Sequence, residues 1–253
     1  MAYRTEQRRP RRPWGAMAGL GLLVGLAAPG LASTPLRQLL ISRVCVGCDL
    51  SGSVLTRANL DNADLNGSNL AGANLRQARL PRANLTATNL AGANLSQTVL
   101  SEADLTGADL TGADLAGAIL TGATLVETQA TDLNLTGAEA RRSNWYGSDL
   151  SGSRLDDIVF NQAGLAAVNL SNATLTRGKF FQANMIEANL SGADFTGADL
   201  RQALIRDADV GGADFTDADL AGANVARTDF STARLCNTRM ANGTINNDHC
   251  DQP

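Results

Sequence analysis

The sequence predicts an all-β solenoid, a chain that coils and stacks on itself. Three observations carry this reading. The stretch SEADLTGADLTGADLAGAIL, residues 101–120, repeats every five residues, whereas a helix repeats at about 3.6 and a strand at about 2. Of the forty multiple-of-five positions from Leu50 to Ile245, 26 are Leu and most others are Phe, Met, Ile or Val, with no insertion or deletion in phase. Only 4% of the 253 residues are aromatic while 25 are Gly, poor material for a core built from large side chains. Disordered chains share such small, polar composition, but disorder has no use for a period.

In chain order, residues 1–32 read as a secretory signal. Arg4, Arg8, Arg9, Arg11 and Arg12 form a basic leader, AMAGLGLLVGLAA an apolar run, and Pro29-Gly30-Leu31-Ala32 a small-residue cleavage site. The run is shorter than the ~20 residues of a spanning helix, so an uncleaved anchor is the lesser alternative. Cleavage near Ala32 removes five arginines and Glu6, leaving 16 basic and 24 acidic groups, a net charge near −8. A mildly acidic exported protein is not built to bind phosphate backbones, so no nucleic-acid partner is expected, and no membrane partner once the signal is gone.

Residues 33–45 read as an N-terminal helical cap. Ser33 or Thr34 can cap it, Pro35 suits its first turn, and Leu36, Leu39 and Leu40 can form one apolar face set on the first coil. Residues 46–235 are the repeats. Two residues before each fifth-position slot, Ala fills 24 of forty places, and the residue just before the slot is Asp or Asn in 24 of forty. Two positions in five should be buried and three solvated, which requires the chain to bend once per pentapeptide, with Gly, Asn and Asp at the corners. The interior must be narrow, hence Ala beside Leu.

The repeat A(D/N)LXX resembles the signature of the pentapeptide-repeat family over about four fifths of the chain. The resemblance implies a right-handed quadrilateral parallel β-helix with four pentapeptides per coil, so about ten coils and a rod roughly 48 Å long at ~4.8 Å per coil. Departures cluster at residues 126–162, where Ala130, Ala140 and Trp145 occupy Leu slots and Leu133 and Ile158 occupy Ala slots. Packing compensation between small and large residues accounts for them, with Trp145-Tyr146 as a candidate irregular recognition patch.

The four cysteines divide between the ends. Ends about 48 Å apart cannot be joined when a disulfide needs Cα atoms within about 7 Å, leaving Cys45 with Cys48 and Cys236 with Cys250. Both pairs read as structural staples in an oxidising compartment. Cys45 falls in a Leu slot and Cys48 in an Ala slot, both interior, which argues against a redox pair. Residues 236–253, a C-terminal cap, more loosely resemble the Cys-closed caps of exported cyanobacterial family members.

No enzyme chemistry is expected. The only histidine, His249, stands in the terminal cap without a second His or a nucleophile beside it. The Asp residues fall where the repeat prescribes them and do not match a calcium-binding β-roll, so no cofactor or metal is expected. What remains is surface. On a twenty-residue coil, one face carries Asp49, Asp109, Asp132, Asp149, Asp209 and Asp229 with no Lys or Arg, the rest being mostly Ser, Gly, Ala, Thr or Asn. This is the candidate interaction face. The expected function is a non-enzymatic exported scaffold, in a periplasm, thylakoid lumen or extracellular space, presenting flat faces to an unknown protein partner. An end-to-end homodimer is a candidate assembly. The alternative taken from the resemblance is a DNA-mimicking binder of DNA gyrase, as in cytosolic members, which the leader and the staples disfavour.

Overall fold

A computed structural model of the chain describes residues 34–250; the expected signal, residues 1–32, and the last three residues lie outside the described residues. Most pentapeptides close as a β-turn in which the slot carbonyl accepts the amide three residues on, as from Ala58 to Leu55 (3.0 Å) and from Ala103 to Leu100 (3.0 Å). The third residue of the turn sits at positive φ, whether glycine (Gly107, 65°) or not (Arg57, 58°; Glu187, 59°). A side chain in that conformation costs about 1–2 kcal/mol, which is why Gly recurs there.

The Asp or Asn before each slot serves the same turn. Its Oδ1 accepts the amide two residues on, from Ser51 to Asp49 (3.1 Å), Thr106 to Asp104 (3.0 Å) and Ser191 to Asn189 (3.1 Å). The acidic and amide character of the repeat is therefore a turn requirement before it is a surface property.

These same residues form the rungs. Single parallel bridges join residues twenty apart in four ladders that begin at Val44, Asp49, Val54 and Asn59. Each rung is closed by backbone pairs such as Leu70 N to Asn89 O (2.7 Å) and Asn89 N to Ser68 O (3.0 Å). Turns consume the remaining residues, so longer strands occur, among the described residues, only in β1 (Thr238–Arg239) and β2 (Ile245–Asn246), an antiparallel pair. The all-β character expected from sequence thus takes the form of stacked single rungs.

Inside, Leu65, Leu105 and Leu200 are fully buried, as are the Ala slots Ala73, Ala113 and Ala193. At most Ser and Thr residues in the Ala slot the hydroxyl ties coil to coil, whereas Thr98 and Ser143 turn back on the slot carbonyl of their own turn. Ser148 Oγ donates to the Leu125 carbonyl and accepts the Thr128 amide (3.1 Å). The irregular segment is an interior adjustment: Trp145, Ala130, Ala140, Leu133 and Ile158 are all fully buried. Trp145 starts a file of aromatic rings that continues through Phe160, Phe180, Phe195, Phe215 and Phe230, with neighbouring centroids 5.1 to 5.8 Å apart.

α1 (Pro35–Ser42) covers the N-terminal end; Thr34 accepts the Arg37 amide and Arg43 closes the helix at φ 59° with its amide on Leu39 O (2.8 Å). Leu39 is buried and Leu36 packs against the core, but Leu40 is 44% exposed, contrary to the three-leucine face expected. The coil is narrow, so its open end leaves room beneath the helix for little more than Leu39.

At the other end the register closes before Ile245, which lies in β2 and is 54% exposed rather than interior. The rung between Asp209 and Asp229 is missing, and Thr232, at the turn position that otherwise has positive φ, does not adopt it. A β-branched side chain resists that conformation. Residues 244–248 fold back over the last coil instead, through Met240 N to Thr244 O (2.8 Å) and Leu235 N to Asp248 O (2.9 Å).

Candidate protein-docking surface

The second ladder, from Asp49, runs through Asn69, Asn89, Asp109, Gln129, Asp149, Asn169, Asn189 and Asp209. The two residues after each slot on this side are Ser, Ala, Thr or Gly, save Asp132 and Asn172, so Gln129 is the one long side chain that rises from it. The backbone thus brings five of the six predicted face residues onto one column, with Asp229 at its splayed end and Asp132 on a turn beside it at φ 55°.

In each column carboxylate one oxygen is engaged by the turn: Asp109 by Thr111 (3.0 Å), Asp149 by Ser151 (3.0 Å), Asp209 by Gly211 (2.9 Å) and Asp229 by Ser231 (2.9 Å). Asparagine amides of the next coil add to this, Asn69 on Asp49 (3.2 Å) and Asn169 on Asp149 (2.9 Å). Placing Asn between acids also spares the stack like-charge repulsion at the ~4.8 Å coil spacing. The hydroxyl and amide of Ser51, with Asn69, hold Asp49 below the usual carboxylate range, and the amide and hydroxyl of Ser231 do so for Asp229.

None of these six acids has a cationic partner among the described residues. The ion pairs lie on other sides: Arg177 with Asp157 (2.8 Å), Arg201 with Asp199 (2.7 Å), Arg234 with Asp214 (3.6 Å) and Arg239 with Asp219 (3.7 Å), for example. The second side is acidic and, among the described residues, uncompensated. Around its middle the whole rod is acidic, for no Lys or Arg occurs between Arg82 and Arg141. This absence was visible in the sequence, although the role of each Asp in its turn was not.

The other candidate residues divide. Trp145 is fully buried, its Nε1 donating to Ser143 Oγ (2.8 Å), so it presents nothing to a partner; a slot side chain points to the axis whatever its size. Tyr146, 51% exposed, is left alone on the surface. Both cysteine pairs are disulfides. Cys45 and Cys48, Cα atoms 5.4 Å apart, are the first and fourth residues of the first turn, and Cys236 and Cys250 are 4.7 Å apart. Cys45 is buried, whereas Cys48 is only half-buried. His249 Nδ1 lies 3.0 Å from the Ala233 carbonyl, a place in the cap. No group of His, Cys, Asp and Glu side chains among the described residues could hold a metal ion, and no helix among them is long and apolar enough to cross a membrane.

Comparison with known proteins agrees with this geometry. The family described as pentapeptide repeats matches in overlapping windows spanning residues 44–180 and 183–247, in 8 copies. No curated protein matches the chain. Among solved structures it is similar to HetL, a pentapeptide repeat protein involved in heterocyst differentiation regulation from the cyanobacterium Nostoc sp. strain PCC 7120, with 29% identity, 83% of this chain and 97% of that one covered, and a TM-score of 0.39. It is also similar to a trypsin-treated form of QnrB1, a plasmid-mediated fluoroquinolone resistance protein, with 16% identity, coverages of 72% and 91%, and a TM-score of 0.43. A pentapeptide repeat protein of the Arabidopsis thaliana thylakoid lumen is 27% identical over 36% of this chain and 61% of that one, with a TM-score of 0.25. With the family match covering most of the chain and parallel bridges twenty residues apart running through the matched residues, the chain belongs to the pentapeptide-repeat family.

Proposed function

We propose that the protein is an exported, non-enzymatic scaffold: a right-handed, four-sided rod of about ten coils whose second side docks a protein partner with a basic surface. The observation that carries this reading is the run of Asp49, Asp109, Asp149, Asp209 and Asp229 on a side whose one long side chain is Gln129, where no cation among the described residues answers them. Uncompensated charge of one sign on a surface steers and orients an oppositely charged partner. Export is supported by the two disulfides and by the leader sequence.

The test places a photo-crosslinker at Thr111 or Ser151 on the second side and at Thr121 on the fourth, in the protein's native compartment. A common product from Thr111 and Ser151, absent from Thr121 and lost on D109K with D149K, supports the reading. Equal crosslinking from all three, or indifference to charge reversal, defeats it. Export is tested separately by the mass of the native N-terminus: a chain beginning near Ser33 supports it, and one that retains residues 1–32 in the cytosol returns the gyrase-binding alternative.

A further inference from the structure

We propose that the N-terminal end of the rod rests on an anionic lipid surface, a contact separate from the partner-docking side. Leu40, Ile41, Val44, Val46 and Val54 are exposed by 44, 70, 47, 54 and 71%, five large aliphatic side chains within fifteen residues on α1 and the first coil. Elsewhere the exposed large hydrophobic residues, Ile119, Tyr146, Leu204 and Ile245, stand singly along the chain. Val44 and Val54 occupy ladder positions where the following coil has Asp64 and Asn74. A valine there gives up the side-chain bond to the turn amide, so the fold itself does not ask for it.

The backbone of this end is open as well. In the second coil the equivalent amides donate upward, Asn69 to Cys48 O (2.8 Å), Asn74 to Ser53 O (2.8 Å) and Arg79 to Ala58 O (2.9 Å). In the first coil α1 provides for Val44 alone, whose amide donates to Ser42 Oγ (3.2 Å). The amides of Asp49, Val54 and Asn59 have no acceptor among the described residues. Arg37, Arg43 and Arg57 stand on the same segment, and the second coil adds Arg76, Arg79 and Arg82. Residues 34–82 hold six basic groups against Asp49, Asp61 and Asp64, whereas residues 83–140 hold seven acidic groups and no basic one. The rod is thus positive at this end and negative beyond it.

Unpaired donors and arginines suit lipid phosphates, and the aliphatic side chains suit the acyl region beneath them. A basic patch favours an anionic leaflet, and the acidic middle disfavours lying flat, so the rod stands on its end. In sequence, the apolar run at residues 16–28 precedes this end.

The test is amide hydrogen exchange of the full chain, alone and with vesicles of phosphatidylglycerol or of phosphatidylcholine. On phosphatidylglycerol the amides of α1 and of Asp49, Val54 and Asn59 should exchange at least about tenfold more slowly, and those of Asp109 and Asp149 unchanged. The combined R37E, R43E and R57E variant should lose that protection. So should V44N with V54N, which restores the residue type that the turns of later coils use and so keeps the fold. Equal protection on phosphatidylcholine, or none on either vesicle, overturns the proposal. So does protection without vesicles, which would assign the surface to a second copy if it rises with protein concentration, and to residues 1–33 if it does not. Each of these outcomes leaves Thr111 and Ser151 crosslinking untouched, so this inference and the docking reading fail separately.

Discussion

Trp145 meets Phe160 edge to face, with ring centroids 5.7 Å apart and planes at 84°. Each ring in the file that follows lies fifteen or twenty residues further along the chain, so it falls in the same column one coil on or in the adjacent one. The coil that carries Trp145 also carries Ala130 and Ala140 in leucine slots, and all three are fully buried. W145A should therefore remove far more volume than its neighbours can refill and cost about 3–5 kcal/mol. W145L, the family's usual residue, should still cost about 1–3 kcal/mol because Ala130 and Ala140 no longer face a large partner. Urea unfolding followed by circular dichroism reads both.

Gly178 occupies a slot where the repeat prefers alanine, yet a Cβ there would lie 2.6 Å from Cε2 of Phe180 and 2.9 Å from the Leu175 carbonyl. G178A, a change toward the repeat consensus, should destabilise by about 1–3 kcal/mol through overpacking. Combining it with F180L should recover most of that loss, as a thermal melt of the pair would show.

Ser148 Oγ is the acceptor for the buried Thr128 amide, which has lost the carbonyl partner that other turns supply. S148A leaves that amide unpaired and should cost about 1–3 kcal/mol. S148T keeps the hydroxyl and should recover part of it. Exchange of the Thr128 amide is the site-specific readout.

Direct hydrogen bonds from Arg201, Arg177 and Arg227 hold the carboxyls of Asp199, Asp157 and Asp207 below the usual range. A lowered pKa in the folded state means that the unfolded chain takes up the proton first. The stabilisation is then complete above about pH 4 and is lost as pH falls through the lowered values. The urea midpoint should stay level from about pH 7 to 5 and drop below about pH 4, less steeply in D199N with D157N. These pairs are solvent-exposed, so added salt should shrink the difference.

The Cys236–Cys250 bond closes fourteen residues of chain over the last coil, beside a missing rung. Opening a loop of this size costs roughly 3 kcal/mol where the chain-entropy account holds. C236S with C250S should free residues 236–250 to exchange while Leu65 and Leu105 remain protected. Uniform loss of protection along the rod would mean that the cap governs the whole fold.

The period of five made the interior slots legible as far as Leu235, because they depend only on position within the repeat, whereas the twenty-residue coil, and with it the separation of the two cysteine pairs, came from the resemblance to the pentapeptide-repeat family. The aromatic file was legible in principle, since Trp145, Phe160 and Phe180 stand fifteen and twenty residues apart, but a spacing rule for neighbouring columns is needed to see it. Leu40 was not, because whether a helix face is covered depends on how wide the surface beneath it is. The early end of the register had a signal in Thr232, a β-branched residue at the one turn position that demands positive φ. For the second side, the absence of Lys and Arg could be counted, yet only the fold shows that Asp49, Asp109, Asp149, Asp209 and Asp229 each serve their own turn with one oxygen.

The twenty-residue spacing of the bridges separates two kinds of change that look alike in sequence. Deleting one pentapeptide would leave every interior side chain at the axis and every turn intact, yet it would shift everything downstream by one ladder, so that Asp149 and Asp209 would leave the column of Asp109. Deleting four pentapeptides would shorten the rod and keep its surfaces aligned. Length in this molecule can therefore drift in units of five without harming the fold, but only in units of twenty without scrambling what it displays.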